Sequence, residues 1–406
     1  MIAVIQPSIL AGEIPAIASK SHAHRLLICA ALADGATRIR CSTTSADIDA
    51  TADCLRALGA SIEYIDGVFT VRTGTPPKKA VLDVGESGST LRFLLPVVCA
   101  LGIEADLVLH GRLPERPLSP LWEELCRHGA ELRWAQKDRI HVSGRFQGGD
   151  FTLAADVSSQ FISGLLFALP LTGTASIIHL TGNLESASYI DMTARALAAF
   201  GVETPFSDKS YLIPAGQRYH TPGDSEVEGD WSNAAFWICA DRILGGTLSI
   251  PGLDPASPQG DRAVESVSLR IAAGDAVVDC RDIPDLVPVL AVLAAVSPGT
   301  TRFTNASRLR LKESDRLRTT AELLTAIGGN AEELPDGLVV TGQRRLRGGE
   351  VWSHNDHRIA MSAAVAALAC DGPVHLHGAD AVRKSYPAFW DDYRRLGGRV
   401  TLEDEP

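Results

Sequence analysis

No apolar run in this 406-residue chain reaches the roughly 18–20 residues that a membrane-spanning helix needs. The first residues, Met1-Ile2-Ala3-Val4-Ile5-Gln6-Pro7, lack the basic segment and apolar core of a secretory signal. Positive charge is short as well: 38 Lys and Arg stand against 49 Asp and Glu, a net charge of −11. That excludes a nucleic-acid binder working through a broad basic surface. Any anion site must be a local basic pocket in an acidic protein. The eight cysteines include no CxxC pair, and most have apolar neighbours. They read as buried thiols in a reducing compartment, not as metal or disulfide centres. These absences predict a cytoplasmic protein with no metal, no membrane contact and no nucleic-acid partner. Low-complexity segments are also missing, and the length favours two domains over one core.

What the chain does have is a repeat. Six times a short polar cluster leads into an apolar helical stretch. The clusters are Ser19-Lys20-Ser21, Gly85–Thr90, Ser158-Ser159-Gln160, Gly229–Ser232, Asp282–Asp285 and Asn355–Arg358. Starting from Ser21, the steps to Gly88, Ser158, Asp230, Asp285 and Asp356 are 67, 70, 72, 55 and 71 residues. That period indicates six copies of one supersecondary unit. Each cluster falls at a helix N-terminus, where free N–H groups and the helix dipole favour anions.

Each unit carries a second, amphipathic helix, read as Asp47–Leu58, Ser119–His128, Tyr189–Phe200, Gly260–Leu269, Ser314–Ile327 and Tyr386–Leu396. Five of the six stop at a glycine: Gly59, Gly129, Gly201, Gly328 and Gly397. Glycine there suits the left-handed residue that closes a helix. Strand patterns such as Ser61–Ile65, Glu131–Trp134 and Arg399–Leu402 follow. The unit is therefore βαβαββ. The first helices are apolar all round, as Leu91–Val98 and Phe161–Leu169 show, which predicts burial. The fold expected is α/β: two inverse α/β domains, each of three βαβαββ units with three buried helices. The turn-rich stretch Thr221–Ser225 marks the boundary. One domain is expected over residues 13–228, and the other over 1–12 with 229–406. An N-terminal strand crossing over gives a double hinge.

Four cationic segments occupy equivalent edges of the repeats: Lys20-Ser21 with Arg25, Arg112–Pro117, Arg308–Arg316 and Asn355–Arg358. Each alone fits a solvated helix start. Together they point to one shared anion site.

Ser19-Lys20-Ser21 with Arg25, Glu86-Ser87-Gly88-Ser89-Thr90-Leu91-Arg92, Glu115-Arg116-Pro117, Arg310–Arg316 and Asn355–Arg358 resemble in order the signature segments of the 5-enolpyruvylshikimate-3-phosphate synthase family. The resemblance runs from Lys20 to Lys384. It implies transfer of the enolpyruvyl group of phosphoenolpyruvate to the 5-hydroxyl of shikimate 3-phosphate, by addition and then elimination of phosphate. It implies no cofactor, a monomer that closes on its two substrates, and glyphosate as inhibitor. Lys20, Gly88, Arg116, Gln160, Arg316, Arg358 and Lys384 are then expected to hold phosphoenolpyruvate. Lys20, Ser21, Arg25, Ser158, Ser159, Gln160, Ser186, Asp285 and Lys312 are expected to hold shikimate 3-phosphate. Lys20, Asp285, Glu313 and Lys384 are the catalytic candidates. Asp285 serves the 5-hydroxyl proton, and Glu313 and Lys20 serve the methylene carbon and the leaving phosphate. A helix N-cap is the other role open to Asp285. His357 is either an orienting group or a proton carrier, and Asp230 fits an N-cap. Glu86, Ala16-Ile17-Ala18, Ser186-Ala187-Ser188 and Arg308 depart from the family pattern. The sister transferase acting on UDP-N-acetylglucosamine would carry a cysteine in the loop where this chain has Gly111–Pro117, and none is there. RNA 3′-phosphate cyclase would need a nucleotide-accepting histidine and a basic surface. A non-catalytic anion binder would tolerate loss of Lys20, Glu313 or Lys384, and all three are present.

Overall fold

The computed structural model describes residues 1–404. Its six buried helices run over Lys20–Leu32, Gly88–Leu101, Ser159–Ala168, Trp231–Leu244, Val287–Val296 and His357–Ala367. Five of them start at a side-chain cap: Ser19, Ser87, Ser158, Asp230 and Asp356 each accept a bond from a backbone N–H of the first turn. Such a cap satisfies one of the donors that every helix start leaves over. The fifth helix differs. A 3₁₀ turn at Pro284–Leu286 leads into it with no side-chain cap, so the N-cap role open to Asp285 is not taken.

The second helices cover Ala46–Ala57, Leu121–Arg127, Ala187–Ala199, Val264–Ala273, Arg316–Ala326 and Phe389–Arg395. All five terminal glycines named above have left-handed φ, between 77° and 105°. Four starts come later than the pattern predicts. Pro120 and Pro387 disfavour helical backbone in the residue before them, and Asp315 caps the helix that begins at Arg316. Gly260–Ala263 forms a 3₁₀ turn ahead of the helix beginning at Val264.

Five sheets share one four-strand plan. In the second repeat, Lys79–Asp83 lies parallel to Glu104–Val108, and antiparallel Arg139–Gly144 and Ala130–Gln136 follow in that spatial order. Leu82 stands beside Leu107, and Leu107 beside Ile140. The parallel pair needs a crossover, and the buried helix supplies it. Strands alternate inward and outward: Thr37 and Ile39 are buried while Arg38 and Arg40 are exposed.

Two of these five sheets take a strand from far along the chain. In the first repeat, Asp224–Glu226 pairs with Ala36–Arg40. In the sixth, Ile2–Gln6 lies between Val374–His377 and Arg399–Glu403. The fourth repeat is reduced. Its sheet is only Gly12–Glu13 beside Leu248–Ser249, and among the described residues it has no closing hairpin. The short step of 55 residues from Asp230 to Asp285 is the length the other repeats have minus a hairpin.

The chain divides into two units, residues 18–227, and residues 1–17 with 228–406. Each has its own apolar core. Inside the first, the Gly88–Leu101 and Ser159–Ala168 helices meet closely for a specific reason. Pro96 has no N–H to offer the carbonyl of Arg92, four residues earlier. Gly164 packs there, and a Cβ at Gly164 would lie 2.2 Å from that carbonyl oxygen. This contact sets the spacing of two helix starts that carry candidate site residues.

Candidate active site

In the unit of residues 18–227, three helix starts bring cations to polar partners. Lys20, the first residue of its helix, pairs with Asp47 at 2.8 Å. One turn on, Arg25 is buried and donates to Ser21 O at 2.6 Å, Tyr189 O at 2.8 Å and Thr193 Oγ1 at 2.8 Å. Its guanidinium lies 5.0 Å from the centre of the Phe93 ring. Burial pulls its proton affinity down to about 10, which still leaves it a cation at neutral pH. Ser186 sits one turn before Tyr189, with a left-handed φ of 54° that is uncommon for serine.

At the second start, Gly88 lies under two guanidiniums. A Cβ there would come within 2.6 Å of Arg92 Nη1 and 2.7 Å of Arg116 Nη1. Arg92 donates to Gln160 Oε1 at 3.2 Å and to Pro117 O at 3.1 Å, and Gln160 Nε2 reaches Ser89 Oγ at 2.9 Å. Gly88, Arg116 and Gln160 therefore converge. Ser158 caps the helix that Ser159 and Gln160 begin. Beneath the helix starts runs a buried polar chain. His24 Nδ1 meets Thr51 Oγ1 at 2.7 Å, Thr51 meets Thr90 at 2.6 Å, and Thr90 donates to Ser87 Oγ at 2.7 Å. Burial, with the charges of Lys20 and Arg25, holds His24 neutral. The departure at Glu86 has a neighbour: its carboxylate lies against Gly111, where a Cβ would sit 2.4 Å away.

The other unit gathers its charges around Arg316, which is 1% exposed. Arg316 Nη1 donates to Asp285 Oδ1 at 2.7 Å, Nη2 to Glu313 Oε2 at 2.6 Å and Nε to Asp356 Oδ2 at 2.8 Å. Arg358 Nη2 reaches the other oxygen of Asp285 at 3.1 Å, and Lys312 Nζ lies 3.5 Å from the first. Ser314 Oγ also donates to Asp356, at 3.0 Å. Three carboxylates thus meet three cations. Burial alone would raise the Asp285 carboxyl, but Arg358, Lys312 and Arg316 outweigh it and hold the group far below the usual carboxylate range. Burial brings Lys312 down to about 8 against the pull of Asp285. Burial disfavours the Arg316 cation, yet its carboxylates overcome that and keep it charged throughout. Lys384 Nζ donates to Asn355 O at 2.6 Å, in a turn where His354 and Asn355 are both left-handed. His357 is buried as the first residue of its helix.

The structure thus joins Asp285, Lys312, Glu313, Arg316 and Arg358 in one cluster, and Lys384 in the turn beside Asp356. Lys20, Ser21 and Arg25 share another helix start. Sequence reading passed over four participants. Arg92 and Asp356 stood inside quoted motifs without a role. Asp47 marked only a helix start, and Thr51 had no local signal because its partners lie 27 and 39 residues away.

Repeated helix starts, cationic side chains gathered at them and a carboxylate set among guanidiniums define a class: inverse α/β proteins suited to small multiply charged anions. The chain belongs to the EPSP synthase (3-phosphoshikimate 1-carboxyvinyltransferase) family, whose model it matches over residues 4–393. It is 39% identical over 415 residues to the 3-phosphoshikimate 1-carboxyvinyltransferase of Clostridium kluyveri, covering 98% of this chain and 97% of the relative. Its likeness to that of Clostridium acetobutylicum is 40% identity over 422 residues, covering 98% and 97%. Among solved structures it is similar to EPSP synthase from Acinetobacter baumannii, with a TM-score of 0.81 and 24% identity over 99% of this chain and 100% of that one. No helix among the described residues is long and apolar enough to cross a membrane.

Proposed function

We propose that this protein transfers the enolpyruvyl group of phosphoenolpyruvate to the 5-hydroxyl of shikimate 3-phosphate, in the pathway to chorismate. In the addition step the 5-oxygen bonds to C2 of phosphoenolpyruvate, its proton leaves, and the methylene carbon gains a proton. In the elimination step the C–O bond to phosphate breaks and the methyl group loses a proton, giving 5-enolpyruvylshikimate 3-phosphate and inorganic phosphate. The observation that carries this reading is Asp285, a carboxylate held between Arg316, Arg358 and Lys312 with Glu313 on the same arginine.

That arrangement explains how Asp285 becomes a base. Clamped by three cations it is ionised but weakly basic. An incoming phosphate or carboxylate competes for Arg316 and Arg358. As those guanidiniums turn to the substrate, the field on Asp285 weakens and its proton affinity rises toward what the 5-hydroxyl requires. Glu313, released from Arg316 in the same exchange, serves the methylene carbon. Lys20 and Lys384 balance the charge on the departing phosphate. Gly88, Arg116 and Gln160 hold phosphoenolpyruvate together with Arg316 and Arg358. Ser21, Arg25, Ser158, Ser159 and Ser186 hold shikimate 3-phosphate, with Lys312 on its ring side. Residues 18–227 form the shikimate 3-phosphate side.

We further read the protein as a cytoplasmic monomer. Seven of the eight thiols are buried and unpaired in the structure, which suits a reducing compartment. Each unit encloses its own core, which suits a single chain. Sedimentation of the purified protein checks the second point. The assay for the activity is release of phosphate from phosphoenolpyruvate, with and without shikimate 3-phosphate. Release that depends on shikimate 3-phosphate is expected. Release without it, or with UDP-N-acetylglucosamine in its place, would overturn the reading.

A further inference from the structure

The unit that holds Asp285 and Arg358 has a second gathering of arginines, at the opposite ends of the same buried helices. There a surface cavity of about 870 Å³ is lined by Arg242, Arg344, Arg345 and Arg399. None of its lining residues is acidic, in a chain with a net charge of −11. Its floor is apolar. Leu244 closes the Trp231–Leu244 helix, Leu293 lies in the last turn of Val287–Val296, and Leu368 directly follows His357–Ala367.

Helix C-termini carry partial negative charge and attract arginines, which offers these side chains a structural role. Two facts limit it. Arg242 alone of the four belongs to one of these helices, while Arg344, Arg345 and Arg399 reach the cavity from other segments. Among the described residues only Arg345 of the four has an ion pair, a loose one of 3.8 Å to Asp371 with both partners exposed. Arg399 donates to the carbonyl of Pro7. Four guanidiniums facing one apolar hollow with so little local neutralisation are complementary to an anion with a hydrocarbon body. The volume lies within the range of small-molecule sites. The planar, weakly hydrated guanidinium suits carboxylate, phosphate or sulfonate at such a rim.

We propose that this cavity is a second ligand site, which takes a small organic anion: the acid group against the arginines, the apolar body over Leu244, Leu293 and Leu368. It stands apart from the residues of the proposed reaction and does not depend on that assignment.

The test uses the full chain and 8-anilinonaphthalene-1-sulfonate, which combines an acid group with an apolar body. Saturable binding of one probe per chain is expected by fluorescence and calorimetry, and saturating phosphoenolpyruvate with shikimate 3-phosphate should leave it in place. The double variant R344A/R345A should weaken binding at least tenfold. Val296→Glu, which puts a carboxylate at the floor's edge, should do the same. Circular dichroism and basal turnover of both variants should match the parent. Benzoate should displace the probe at lower concentration than inorganic phosphate. Unchanged affinity in both variants, displacement by the substrates, or equal competition by phosphate and benzoate would each overturn the proposal. So would binding seen only with an acidic peptide or an oligonucleotide.

Discussion

Arg316 donates to three carboxylates at once, and few single side chains carry so many consequences. Truncation would leave Asp285, Glu313 and Asp356 facing one another without their shared counter-charge. Breaking a buried pair from one side costs about 3–5 kcal/mol. Arg316→Ala should therefore lower the unfolding free energy by roughly that amount and abolish turnover. Arg316→Lys should not restore either, because a point charge cannot span three acceptors. Urea titration and phosphate-release kinetics check both, and a fully stable alanine variant would contradict the hub. Lys312 gives a pH signature. Its cation, which anion binding needs, is lost as pH rises through about 8. Affinity for shikimate 3-phosphate should then fall by up to about tenfold per pH unit above that point, and Lys312→Arg should flatten the profile. Calorimetry between neutral and alkaline pH measures it. The stability effect has the opposite sense. The unfolded chain keeps this proton up to its ordinary value of 10.5, so between about 8 and 10.5 the unfolded state holds more protons and Lys312's contribution to stability rises with pH. Cys126 is the one exposed thiol, and it lies in the Leu121–Arg127 helix, which carries none of the candidate site residues. Cys126→Ser should leave turnover within about twofold, as substitutions away from functional contacts do. A collapse in rate would revive the sugar-nucleotide transferase reading.

At the scale of elements, helix spacing is what brings the guanidiniums together. Gly164→Ala drives a methyl against the Arg92 carbonyl, which is backbone and cannot step aside. It should destabilise by about 1–3 kcal/mol and raise the KM for phosphoenolpyruvate, because Arg92 and Gln160 lose their alignment. Thermal unfolding and steady-state kinetics test this together. Gly88→Ala meets only the movable tips of Arg92 and Arg116. It should fold normally, yet raise the inhibition constant for glyphosate more than the KM for phosphoenolpyruvate, since the longer ligand has less room. An unchanged ratio of the two constants would place the inhibitor elsewhere. Much at this scale was legible in the sequence. The caps, the buried apolar helices and the closing glycines all follow from local chemistry. The reduced fourth repeat does not: six full βαβαββ units are what the period predicts, and the short step of 55 residues is the one local sign that this unit lacks its hairpin. What stayed hidden was non-local. Nothing in Asp224–Glu226 names Ala36–Arg40 as its partner, and nothing near Asp285 says that its carboxylate meets Arg316 rather than a helix start. Pairings of that kind are fixed by packing across the whole unit, and local propensity does not record them.

For the whole molecule, the two cores make a separable prediction. Residues 18–227 are contiguous and contain both their apolar core and the strand that completes their first sheet. Expressed alone, this segment should unfold cooperatively in urea and show the near-ultraviolet signal of packed aromatics. A fragment that binds dye like a molten globule would show that the core needs the rest of the chain.

The strand Ile2–Gln6 ties the ends of the chain together, Ile2 standing opposite Glu403. On the ribosome that strand emerges about 370 residues ahead of its earliest neighbour, Val374–His377. At typical elongation rates the gap is roughly 20–75 s. Through that time Ala3 and Ile5 have no sheet to enter, although residues 18–227 can already be complete. The pace of translation therefore sets the earliest moment at which the sixth sheet can close.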